Sequence, residues 1–145
     1  MRYGMLVALF TALIVASMTG RAAAQQGVPD LRGTWKGESE SVVRGGGGGT
    51  HHPAAAGPAE PRFTSVPFTL IIDKQNGRRF SGTFSSARST ETVIAILSRS
   101  GTIYMVDDDA HAWGTLLAPN RMELCYLHQS PATRIASCTE FTKQP

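Results

Sequence analysis

Only two cysteines, 8% aromatic residues and 17% charged residues occur among the 145 positions. After residue 24 no apolar run is long enough to span a bilayer as a helix. Neither cysteine belongs to a CxxC pair, so the motif for dithiol redox chemistry is missing. No serine lies in a Gly-x-Ser-x-Gly elbow, no phosphate-binding loop is present, and no two glutamates stand out as an acid and base pair. No apolar stretch at helical spacing is long enough for a helix, and the chain has room for one domain. What is present, 41% hydrophobic residues in short alternating runs, argues against general disorder and for an all-β protein.

Residues 1–24 read as a secretory signal. Arg2 supplies the positive start, Met5 to Val15 is apolar apart from Thr11, and Ala22, Ala23 and Ala24 form a small-residue cleavage site before Gln25. No cysteine stands beside that site, so a lipid anchor is not expected, and the location is periplasmic or secreted. The whole chain carries 14 Lys and Arg against 11 Asp and Glu, a formal +3 that invites an anionic partner. Loss of Arg2 and Arg21 with the signal reduces 14 basic residues to 12 against the same 11 acids, and the nucleic-acid reading loses its support. Residues 25–145 are then a single domain.

Eight strands are predicted: one around Trp35, then 66–73, 79–85, 92–98, 102–107, 111–117, 121–128 and 134–142. Short connections make them an antiparallel up-and-down meander, which eight strands can close into a barrel; an open meander or a smaller barrel are the alternatives. Val66, Phe68, Leu70 and Ile72 share one face of the second strand, and Phe80, Gly82 and Phe84 share one face of the third. Same-face pairing places Ile72 opposite Phe80, Leu70 opposite Gly82 and Phe68 opposite Phe84, around a three-residue loop of Gln75, Asn76 and a left-handed Gly77. The next hairpin, around Arg99, Ser100 and Gly101, pairs Ile96 with Tyr104 and Ile94 with Val106 on one face, and Leu97 with Ile103 and Ala95 with Met105 on the other. Both of its faces are apolar. A third hairpin turns around Ala118, Pro119 and Asn120. Between the first two strands, residues 45–62 hold five consecutive glycines, His51, His52 and three prolines, and are expected to be flexible and to add nothing to a core.

Cys125 and Cys138 fall on the outward faces of the last two strands, nearly opposite one another about a turn near Pro131. In an oxidising compartment this reads as a cross-strand disulfide, the alternative being two free thiols.

Gly33, Thr34 and Trp35 opening the first strand of an eight-strand meander resemble the calycin group, avidins and lipocalins in particular. The resemblance implies a barrel with the tryptophan packed across one end and a small ligand inside. The residues avidins use to hold biotin have no counterpart, and no lipocalin-type helix lies near the C terminus, so biotin binding is not implied. The interior candidates are Trp35, Phe68, Leu70, Phe80, Gly82, Phe84, Leu124 and Tyr126, with the inward glycines Gly82 and Gly114 leaving space among them.

The remaining polar clusters read as structural. Asp107, Asp108 and Asp109 with His111 suit a turn and lack EF-hand spacing, and His51 with His52 lacks further fixed metal ligands. His111 and His128 would approach only if their strands pair. No metal, cofactor or catalytic residue is expected, and Arg78, Arg79, Arg88 and Arg99 read as solvated arginines. The functional expectation is an exported, non-enzymatic barrel holding a small, mostly apolar molecule. The alternative is an envelope protein-interaction module, such as a small periplasmic inhibitor, acting through loops or the outer face. Intact mass should rise by two hydrogens on reduction if Cys125 and Cys138 are bonded; an unchanged mass would leave them as thiols.

Overall fold

The computed structural model describes residues 27–45, 51, 60–108 and 110–145. The expected signal sequence and its cleavage site, most of the glycine-rich segment, His52 and Asp109 lie outside them. Among the described residues, nine strands form one antiparallel sheet: β1 (Gly33–Gly45), β2 (Arg62–Thr64), β3 (Pro67–Asn76), β4 (Arg79–Ser85), β5 (Thr90–Leu97), β6 (Thr102–Val106), β7 (His111–Ala118), β8 (Arg121–Gln129) and β9 (Thr133–Lys143). From β3 to β9 each pairs with the next in sequence, and β1 pairs with both β3 and β9, so the sheet closes on itself.

The short β2 was not anticipated, because three residues show no usable alternation. It follows the same register on β1 as β3, with Ser41 opposite Thr64 and Glu38 opposite Pro67. The two pieces are one strand broken at Ser65 and Val66. Ser39 bridges the break, its N–H donating to the Val66 carbonyl at 2.9 Å and its hydroxyl accepting from the Val66 N–H at 3.1 Å. The result is an eight-stave, up-and-down barrel.

Alternation puts the apolar side chains inside. Leu31, Trp35, Leu70, Ile72, Val93, Ile103, Met122 and Phe141 are fully or almost fully buried. One end is closed by the segment before β1. Leu31 lies beneath Trp35, whose indole N–H donates to the Leu31 carbonyl at 2.8 Å. Gln75 ties this segment down, accepting from the Leu31 N–H at 2.7 Å and donating to the Pro29 carbonyl at 2.8 Å. Lys143 adds a bond to the Asp30 carbonyl at 3.0 Å and stands 5.7 Å from the Trp35 ring centre. The Asp30 side chain takes hydrogen bonds from the Arg32 guanidinium and backbone, which hold its carboxyl well below the usual carboxylate range.

The β5–β6 hairpin has the predicted pairs, Ile96 with Tyr104, Ile94 with Val106, Leu97 with Ile103 and Ala95 with Met105. The β3–β4 hairpin differs. Asn76 pairs with Arg79 around a two-residue loop, Gly77 and Arg78, and the strand bulges at Asp73. Ile72 therefore faces Gly82, and Leu70 faces Phe84, in place of the expected Phe80 and Gly82. Parity did require one extra residue; it sits within the strand rather than in the turn. Gly77 is left-handed, with φ 58°, at the first loop position, where a type II′ turn needs glycine. Similarly, Ala118 pairs with Arg121 around Pro119 and Asn120, with a bulge between Leu116 and Ala118.

Cys125 and Cys138 are direct cross-strand partners, bonded through their sulfurs with Cα atoms 4.0 Å apart. The disulfide lies on the outside of the barrel and joins β8 to β9, the strand that closes against β1.

Gly82 and Gly114 face inward, as predicted, yet they do not leave space. A Cβ at Gly82 would run into the Ile71 carbonyl, and one at Gly114 into the Glu123 carbonyl. Backbone from the neighbouring strand occupies the room a side chain would need. Gly82→Ala should therefore cost about 1–3 kcal/mol in denaturant unfolding. An unchanged midpoint would mean that the two strands do not approach so closely.

Candidate ligand site inside the barrel

The end opposite Trp35 is ringed by the β4–β5, β6–β7 and β8–β9 turns. Its interior has two unlike walls. Phe68 of β3, Phe84 of β4 and Phe141 of β9 make the aromatic one: Phe68 and Phe84 stack with centroids 4.6 Å apart, and Phe84 meets Phe141 edge-on at 6.1 Å. In the middle of the β1–β9 seam the inward side chains are hydroxyls. Ser41 donates to Ser137 at 2.8 Å, Ser39 and Ser41 lie 3.0 Å apart, and Thr139 is buried opposite Ser39. Buried hydroxyls need hydrogen-bond partners, and the three serines find one another.

Among the described residues of the glycine-rich segment, His51 enters this space. His51 is 3% exposed, which corrects the expectation that residues 45–62 contribute nothing to the core. Its ring meets Phe68 and Phe84 nearly perpendicularly, each at 5.3 Å. Nδ1 is 2.9 Å from the Ser86 hydroxyl and Nε2 is 3.0 Å from a Glu91 carboxylate oxygen. A carboxylate only accepts, so Nε2 carries a proton; in the neutral ring Ser86 then donates to Nδ1. Ser86 is set by the β4–β5 turn, where its N–H donates to the Ser89 carbonyl at 2.9 Å and its hydroxyl accepts from the Arg88 N–H at 3.1 Å. Glu91 is the second residue of β5 and shares the inward face with Val93. Burial of such a carboxylate requires a partner, and His51 is that partner.

Below the imidazole a chamber of about 20 Å³ remains, lined by His51, Phe68, Phe84, Met105, Asp107, Ala112, Leu124, Tyr126, Ser137, Thr139 and Phe141. That is room for about one water molecule. Ser86, His51 and Glu91 form a connected hydroxyl, imidazole and carboxylate chain. With the ring so enclosed, what the arrangement achieves is to hold a planar heterocycle at both of its nitrogens.

Of the eight interior candidates, Phe68, Phe84, Leu124 and Tyr126 line the chamber. Trp35, Leu70, Phe80 and Gly82 face inward but are not among its lining residues. Glu91, Ser137 and Thr139 were missed although alternation places them inward: extending the expected strand 92–98 by one residue reaches Glu91, and the two hydroxyls fall between Ile135 and Phe141. His51 carries no such signal. His111 and His128 do not come together; the first stacks on Trp113 outside, and the second lies beside Tyr126 with ring centres 6.4 Å apart. Asp107 caps its turn, accepting from the Ala110 N–H at 2.7 Å. Among the described residues no three His, Cys, Asp or Glu side chains converge as metal ligands.

No family model and no curated protein matches the chain. Two solved structures are similar in fold. A redesigned β-barrel has 9% identity, a TM-score of 0.44, and coverage of 79% of this chain and 92% of its own. An S-type phycobiliprotein lyase from Guillardia theta has 12% identity, a TM-score of 0.36, and coverage of 79% and 89% respectively.

If His51 and Glu91 hold each other as described, their effects on stability are coupled. A double-mutant cycle with His51→Ala and Glu91→Ala should give an interaction of about 1–3 kcal/mol, read from denaturant unfolding. Additive effects would mean that the imidazole does not reside beside Glu91.

Proposed function

We propose that the protein is an exported, non-catalytic binding barrel that takes a small, mostly apolar, ring-bearing molecule in the slot filled by the His51 imidazole. The observation that carries this reading is the manner in which His51 is held. Two phenylalanine rings and two polar side chains, Ser86 and Glu91, grip a planar ring that no barrel strand supplies. Such sites combine an apolar lining with a few placed polar groups. The neighbouring hydroxyl wall of Ser137 and Thr139 offers a further polar edge. The Cys125–Cys138 disulfide fits an oxidising compartment.

A ligand for this slot competes with the chain's own ring. Its apparent affinity is lowered by the fraction of molecules in which the slot is free. His51→Gly should vacate the slot while leaving Ser86 and Glu91 facing it. Imidazole, 4-methylimidazole and indole are suitable probes, with thermal shift and calorimetry as the readouts. At least one should stabilise the folded variant and bind it at least about tenfold more tightly than the unmodified chain. If none binds a variant that still folds, the interior is a sealed core and the reading fails.

A further inference from the structure

The outer surface carries a second feature, independent of the interior slot. Ile94 and Ile96 of β5, Tyr104 and Val106 of β6 and Trp113 of β7 point outward with 60%, 43%, 55%, 46% and 39% of their surfaces exposed. The register makes them contiguous: Ile96 lies beside Tyr104 and Tyr104 beside Trp113, while Ile94 lies beside Val106. They border a surface trough of about 880 Å³ that Arg79 also lines. Isolated exposed apolar residues are ordinary on soluble proteins, whereas this is a connected patch on three adjacent strands. Together these side chains present on the order of 500 Å².

Charge is distributed along the strand direction. Arg79, at the start of β4, and Arg99, in the β5–β6 turn, stand at one end of the patch. Asp108, exposed in the β6–β7 turn, stands at the other. An apolar face between a basic edge and an acidic edge is complementary to itself when inverted.

We infer that this face joins two copies of the chain across a two-fold axis perpendicular to the strands. The apolar rows meet at the centre, and the arginines of each copy face Asp108 of the other. A two-fold axis along the strands would instead set basic edge against basic edge. Apolar burial of about 500 Å² on each copy gives roughly 1,000 Å² in total, the lower bound for a specific pair. The charged edges add contact around it. A dimer that dissociates in the micromolar range fits an interface of this size.

Sedimentation equilibrium of the exported chain, from about 1 to 200 µM, reads the result directly. The unmodified protein should pass from monomer to dimer over that range. Tyr104→Glu should weaken association more than about tenfold, with far-UV circular dichroism unchanged. Arg79→Glu combined with Arg99→Glu should be largely monomeric, as should Asp108→Lys. Mixing those two chains should restore a heterodimer, since each edge then meets its opposite again. A monomer throughout the range would overturn the inference, including one that binds a different protein on this face. So would a dimer indifferent to Tyr104→Glu, or a mixture of the charge variants that fails to pair.

Discussion

The rest of the structure depends on closing the sheet. Once β1 pairs with β3 on one side and β9 on the other, the barrel has an interior whose width is set by the number and stagger of its staves, and that interior has to be filled. Leu31 and Trp35 fill it at one end. Towards the other, Ser39, Ser41, Ser137 and Thr139 present small inward side chains beside the aromatic wall, and the His51 ring is packed against that wall. The disulfide reinforces this closure, because β9 is held by β8 on one edge and completes the barrel with β1 on the other. With its cysteines 13 positions apart, it stabilises by about 3 kcal/mol on the chain-entropy argument.

Filling a core with a histidine and a glutamate is not the most stable solution. An apolar residue of similar size would need no partner, whereas each of these would be costly if left alone. The pair makes physical sense as a specific, polar hold on one ring. Outside, the exposed face on β5 to β7 has the same character: apolar side chains where solvated ones would serve a solitary barrel better.

Much of this was legible from alternation. The limits of β4, the β5–β6 pairing and the opposition of the two cysteines follow from which side chains must share a face. Position along the barrel axis does not. Phe68 and Phe84 reach the chamber while Phe80 does not, and the two-residue period distinguishes inside from outside without giving height. Bulges have the same standing: the face pattern demands an extra residue between Ile72 and Phe80, but Asp73 and the turn satisfy it equally well on paper. Gly82 and Gly114 look like empty space in sequence and are places where a neighbouring backbone closes in. His51 had no signature at all, being a polar residue in a glycine- and proline-rich stretch whose partners, Ser86 and Glu91, are more than thirty positions away.

The most direct measurement is the proton NMR environment of the His51 ring in the disulfide-bonded protein. The account predicts strong ring-current shifts and nuclear Overhauser contacts from the His51 ring protons to the rings of both Phe68 and Phe84. A His51 ring with the shifts of a free histidine, and no contact to either phenylalanine, would contradict it.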